Sequence, residues 1–395
     1  MRRTTTPAPG VRFLLGGIAL GALGLGVAAS AAASAVAVVM ARKIITPPTE
    51  REHELRITAA DDHTVTLSAT RDSLTPGRYG LWFDAGRGHA RIGDVLRSTP
   101  RTVTRALIAV DRGDLSRARY GRMSSWYYLD PRELGVPVED VRIATPLGPA
   151  PAWVVPADGG VDRWVIQVHG RAVRRQETIR AVPAFRAAGW TSLLVSYRND
   201  GDAPSSADGR YALGDAEWRD VDAAMRFAVE AGARELILMG WSMGGATVLQ
   251  AATRSALAPL VRGVVLDSPV IDWVNVLDAQ GRSSHVAPPV RRAAIRLLGG
   301  AWATRLTGLA EPIDLARLDF VRRAAELARP VLLLASRGDD YVPPGPAIAL
   351  AAARPDIVDL ELFDTARHVR LWNYDQERWT TAISRWLSRL PPAAR

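Results

Sequence analysis

Gly240-Trp241-Ser242-Met243-Gly244 is a Gly-x-Ser-x-Gly pentapeptide, and its flanks decide how the rest of the chain is read. The five residues before it, 235–239, are a short, largely apolar run of the kind that forms a buried strand, and residues 245–252 after it read as a helix. Strand, sharp turn and helix are the setting in which this pattern presents a serine hydroxyl at an exposed apex. Gly240 and Gly244 have no Cβ, so the backbone can turn tightly and neighbouring elements can approach closely. The apex also lies near the positive end of the following helix. Ser242 is the candidate nucleophile.

A serine hydroxyl is a poor nucleophile until a base removes its proton, and the base needs a carboxylate to fix its tautomer and stabilise its cation. His368 stands five residues beyond the apolar run 358–363 and is the candidate base. The other histidines of this half are His285, in a stretch without strand patterning, and His169, in a His-Gly pair. The loop after the apolar run 331–335 supplies two candidate acids, Asp339 and Asp340, and Asp267 closes the preceding run.

From about residue 138 onward strands alternate with helices. Residues 138–145 and 152–155 suggest a hairpin, and 164–168, 191–196, 235–239, 263–267, 330–335 and 358–363 read as strands. Helical stretches fall at 181–188, 216–231 and 377–390. The alternation predicts an α/β fold with a mostly parallel sheet and helices on both faces. Residues 270–329 lack strand patterning and are expected to form a helical cap insertion over the site. Upstream, residues 47–137 alternate with period two, as at 64–69, 79–83 and 103–110, and predict a small β-rich accessory domain. His53, His63 and His89 lie there without partners at metal-ligand spacing and are read as solvated or locally hydrogen-bonded.

The elbow, the His169-Gly170-Arg171 loop, the acid loop and the terminal histidine resemble, in that order, an α/β-hydrolase of the serine esterase, lipase and serine aminopeptidase type, over residues 138–395. Tyr197-Arg198-Asn199 is similar to a loop of monoacylglycerol-lipase-like and bacterial membrane-associated members. The resemblance implies the order Ser242, Asp339, His368 for a catalytic triad, and the family's Gly-Asp-x-x-Val-Pro pattern, matched by residues 338–343, favours Asp339. It also implies an oxyanion hole from the N–H groups of Met243 and Arg171, with His169 and Gly170 shaping the loop. The loop lacks the Gly-Gly extension of one lipase and esterase branch. The function implied is hydrolysis of a carboxylic ester or related acyl bond through an acyl-enzyme, with a small-molecule or lipid acyl substrate and no metal or organic cofactor. An acyltransferase acting on an envelope sugar or lipid acceptor would use the same residues, and a non-catalytic scaffold is the third reading.

The remaining features bound these readings. The chain has 395 residues and no cysteine, which excludes disulfides, thiol catalysis and cysteine metal sites. Its formal charge of +9 comes from arginines spread among acidic residues, with Lys43 the only lysine, so no nucleic-acid partner is expected. Residues 13–41 are 29 consecutive uncharged residues, preceded by Arg2, Arg3 and Arg12 and followed by Arg42 and Lys43. About 20 apolar residues cross a bilayer as a helix. A single-pass transmembrane helix at 13–41 is therefore expected, with the catalytic domain outside the cytoplasm. A cleaved signal peptide, with small-residue sites at 31–35 and a secreted product, is the alternative.

Overall fold

The computed structural model describes residues 32–48, 54–159 and 162–391. Residues 32–45 form helix α1, which lies against the α/β unit with Ala37, Ala41 and Ile45 buried. Of the expected span at 13–41, residues 13–31 lie outside the described residues, and the remainder is the first part of α1. Among the described residues no helix is long and apolar enough to cross a membrane.

Six strands follow: β1 (Leu55–Ala60), β2 (Thr64–Ser68), β3 (Tyr79–Phe83), β4 (Gly88–Ser98), β5 (Thr102–Arg112) and β6 (Tyr120–Ser124), with a one-turn helix α2 (Arg71–Leu74) after β2. They close into a barrel in the order β1-β2-β5-β4-β3-β6, β6 returning to pair with β1, so that no strand edge is left open. Alternate side chains fill it, among them Leu55, Ile57, Val65, Leu67, Leu81, Phe83, Ile92 and Met123. Arg105 is fully buried at one end, where its guanidinium donates to the carbonyls of Gly93, Ser73, Thr75 and Gly77 at 2.6–2.9 Å.

The α/β unit is an eight-stranded sheet of β7 (Glu139–Thr145), β8 (Gly148–Val155), β9 (Arg163–Val168), β10 (Thr191–Val195), β11 (Glu235–Trp241), β12 (Val261–Asp267), β13 (Val331–Ser336) and β14 (Val358–Phe363). Its order is β7-β8-β10-β9-β11-β12-β13-β14; β7 and β8 are an antiparallel hairpin, β8 runs antiparallel to β10, and the strands from β10 to β14 are parallel. The helices in chain order are α3 (Val182–Ala187), α4 (Trp218–Glu230), α5 (Met243–Arg254), α6 (Trp273–Ser283), α7 (Pro288–Gly299), α8 (Thr304–Thr307), α9 (Gly345–Ala353), α10 (Leu371–Tyr374) and α11 (Gln376–Ser388). The parallel strands are apolar on both faces because both are covered. Ile166, Leu238, Val264 and Leu333 pack with α4 and α5, whereas Val165, Ile237, Val265 and Leu332 pack with α3 and α11. The loops after β9, β11, β13 and β14 leave from the carboxyl edge of the sheet, where open α/β sheets bind their ligands.

Helices α6, α7 and α8 make up the strand-free insertion, and Gln280 of α6 donates to the carbonyls of Asp340 and Tyr341. The barrel is fastened to the segment around His368. Arg370 donates to Asp72 at 2.9 Å, Arg367 also pairs with Asp72, and Asn373 donates to the carbonyls of Arg78 and Ser125 at 2.9 and 3.1 Å.

Candidate active site

Ser242 sits between β11 and α5 at φ 51° and ψ −117°, a left-handed φ that a non-glycine residue holds only when its surroundings impose it. The constraint comes from both sides. Ser242 N–H donates to the Asp267 carbonyl at 3.0 Å, and the Ser242 carbonyl accepts from Gly245 and Val270 at 2.9 and 3.1 Å. A Cβ on Gly240 would meet the Gly244 carbonyl at 2.3 Å, and one on Gly244 would meet the Val168 carbonyl at 2.2 Å. Gly240 is thus required by close approach within the turn, and Gly244 by close approach to the end of β9.

His368 and Asp339 arrive from the loops after β14 and β13. His368 Nε2 lies 2.9 Å from Ser242 Oγ, and His368 Nδ1 lies 2.8 Å from Asp339 Oδ2. Asp339 is fixed in turn by the N–H groups of Tyr341 and Val342, which donate to Oδ1 at 2.9 and 2.8 Å. Burial opposes the charged form of His368, but the Asp339 carboxylate and its hydrogen bond prevail and hold the imidazole above its ordinary pKa.

The other two acids face elsewhere. Asp340 pairs with Arg367. Asp267 is fully buried, accepts from Trp379 Nε1 and Ser268 Oγ at 2.9 Å each, and is pushed above the usual carboxylate range by burial.

Met243 is the first residue of α5 and directly follows Ser242. Gly170 is packed against Ser242, a Cβ there reaching Ser242 Cβ at 3.3 Å. Its N–H is taken up by Glu177 Oε2 at 3.2 Å, while Arg171 shares the pocket around Ser242 and His368. The Arg171 guanidinium points away, donating to the carbonyls of Ile44, Lys43 and Thr46 at 2.7, 3.0 and 3.2 Å, where it meets the negative end of α1. His169 is buried, stacked on Tyr197 and hydrogen-bonded to Asp200 at 3.1 Å. Among the accessory-domain histidines, His89 is buried and bonded to Asp111 and the Trp126 carbonyl, His63 is exposed, and His53 lies outside the described residues.

The pocket around Ser242 has a volume of about 170 Å³. Its walls correct the expectation that residues 270–329 cover the site. Arg122, Met123, Ser124 and Ser125, from β6 and just beyond it, face Ser242 and His368, and none of the lining residues belongs to the insertion. The insertion instead abuts the acid loop, because α6 buries its apolar face on the sheet side shared with α4 and α5. Several residues here carry no sequence signal of their own. Glu177 bridges the Gly170 N–H and the Ser125 hydroxyl, and Asp72 pairs with arginines on either side of His368. Arg180 donates to the carbonyl of Val369, itself at φ 57°.

Residues 164–382, more than half of the chain, match the alpha/beta hydrolase family. The chain belongs to the α/β-hydrolase family. Membership makes it an enzyme of the hydrolase type. Residues 56–124, the barrel, match a family described as a domain of unknown function, DUF8805. No curated protein matches the sequence. Among solved structures, an esterase of Pyrococcus furiosus, Pf2001, is similar at 17% identity and a TM-score of 0.52, over 67% of this chain and 95% of that one. The esterase RhEst1 from Rhodococcus sp. is similar at 18% identity and a TM-score of 0.45, over 64% of this chain and 99% of that one. At such identities the Pyrococcus likeness speaks for a common fold alone.

Proposed function

We propose that this hydrolase cleaves a carboxylic ester or a related acyl bond through an acyl-enzyme on Ser242. The observation that carries the reading is the continuous relay from Ser242 Oγ to His368 Nε2 at 2.9 Å and from His368 Nδ1 to Asp339 Oδ2 at 2.8 Å. Ser242 Oγ attacks the carbonyl carbon while His368 Nε2 takes its proton, and Asp339 stabilises the resulting imidazolium. The negative oxygen of the tetrahedral intermediate is met by the N–H groups of Met243 and Arg171. His368 then gives the proton to the leaving group as the bond to carbon breaks. Water, activated by the same imidazole, attacks the acyl carbon and releases the acid and the free serine. No metal or organic cofactor enters this cycle.

The test is covalent labelling with a fluorophosphonate, which captures an activated serine. The wild-type protein labels and Ser242→Ala does not; equal labelling of the two would remove Ser242 from the mechanism.

The proposal includes attachment to a membrane through residues 13–31, the part of the uncharged run ahead of α1, with the catalytic domain on the extracytoplasmic side. The uncharged run, its three preceding arginines against two following basic residues, and the surface where α1 emerges support this. Val36 and Val39 are exposed on α1, Arg42 of α1 donates to the Leu306 carbonyl, and Leu306 and Trp302 are exposed on the adjoining insertion.

A further inference from the structure

A cleft of about 1560 Å³ runs between the barrel and the α/β unit, beside the much smaller pocket that holds Ser242 and His368. Arg122 and Val173 line both spaces, so the two meet at those residues. On the barrel side the cleft wall is built by β6 and the turn before it, which contribute Arg117, Arg119, Tyr120 and Arg122. Trp82 pairs directly with Arg122 across the β3–β6 ladder and shares that wall.

Four arginines, Arg117, Arg119, Arg122 and Arg174, line this cleft against three carboxylates, Asp84, Asp114 and Asp200. Each of its carboxylates is already engaged. Asp84 pairs with Arg87, Asp114 accepts from the N–H and hydroxyl of Ser116, and Asp200 accepts from His169 and from the N–H groups of Asp202 and Ala203. Across the cleft, Arg174 is paired with Asp202. Arg117 and Arg119 are exposed, and among the described residues neither has a carboxylate within ion-pair distance. Asp114 feels the charge of Arg117 and takes the Ser116 N–H and hydroxyl on Oδ1. A neutral ligand filling the cleft would strip water from these guanidinium groups and return nothing, which is costly. A carboxylate or phosphate matches their planar fork of donors.

We propose that the cleft is the leaving-group subsite and that the natural substrate joins a short acyl group to a leaving group carrying a carboxylate or phosphate, received by Arg117 and Arg119. The inference rests on the acyl-transfer reading of Ser242 and deepens it. The small pocket has room for little more than a short acyl chain beside Ser242, and the larger part of the substrate extends past Arg122 into the cleft.

The test uses three butanoate esters with the same phenyl frame, derived from 4-hydroxybenzoate, 4-hydroxyphenyl phosphate and 4-hydroxybenzamide. For the full chain at low salt, kcat/KM for at least one anionic ester exceeds that for the amide by about tenfold, the scale of one charge-assisted contact. Whichever anionic ester is favoured separates carboxylate from phosphate. The ratio shrinks as salt rises and falls towards one in the double variant Arg117→Gln/Arg119→Gln. Equal kcat/KM for all three esters in the wild type, or a preference that survives the double variant, overturns the subsite while leaving the role of Ser242 intact. Failure of the Ser242 reading looks different: no ester is turned over and no probe is taken up. In that event calorimetric binding of 4-hydroxybenzoate and 4-hydroxyphenyl phosphate decides the subsite, which falls if both bind wild type and double variant equally.

Discussion

Ser242, Asp339 and His368 come from three loops spread over about a third of the chain, yet meet within hydrogen-bond distance. Asp339→Asn keeps the shape of the acid but removes its charge and its support for the correct imidazole tautomer. Ester turnover is expected to fall roughly a thousandfold or more, without loss of fold by circular dichroism. The pH dependence follows from the raised pKa of His368. Only the neutral imidazole can accept the serine proton, and a raised pKa keeps it charged to higher pH. The acidic limb of kcat/KM therefore lies above the ordinary imidazole value in the wild type and moves down in the Asp339 variant, as a pH–rate profile will show. At this scale the sequence is legible where chemistry is local: a pentapeptide with glycines on both sides announces its serine. Of Asp339, Asp340 and Asp267, it is Asp339 that meets His368 in space, whereas Asp340 turns to Arg367 and Asp267 to Trp379. Glu177 and Asp72 are invisible beforehand, since nothing in their neighbourhoods marks which partner a buried or distant carboxylate will find.

Among the elements, the parallel strands and the helices α4 and α11 are readable because their apolar residues recur at the period of the structure they form. In the barrel, β2 and β5 show the alternation of a half-buried strand, while β3 is buried almost throughout. By contrast β4 and β6 carry glycines and arginines within the strand, and their pairing is enforced by closure. That closure has a consequence for the site. Asp72 of α2 pairs with Arg367 and Arg370, so the barrel grips the chain on both sides of His368. Asp72→Asn is expected to lower kcat about ten- to a hundredfold by letting the imidazole drift, the cost of a misplacement near one ångström. Fluorophosphonate labelling should slow in parallel, with KM changing less. A kcat equal to wild type would show that the barrel does not position this loop.

For the whole molecule, the N-terminal segment meets the α/β unit at Arg171, whose guanidinium holds three carbonyls at the end of α1. Two truncations separate anchoring from support. Removing residues 1–31 leaves α1 in place, and the protein is expected to leave the membrane fraction with its ester turnover retained. Removing residues 1–46 also takes away α1 and the partners of Arg171, uncovers the surface under Ala37, Ala41 and Ile45, and is expected to lower both Tm and kcat. Sedimentation with membranes, thermal melting and ester kinetics on the two proteins check these outcomes.

Hydrophobic period, glycine placement and the order of three polar residues are properties of the chain in one dimension. From them follow the α/β class, the turn at Ser242 and the candidates for its partners. Which surface closes over Ser242 depended on long-range packing. A strand-free insertion looks like a cover, but its apolar faces found burial beside the sheet, and the barrel, tied down by Asp72 and Asn373, took the place above the pocket. Such contacts join residues 248 and 298 positions apart, separations at which local pattern carries no information.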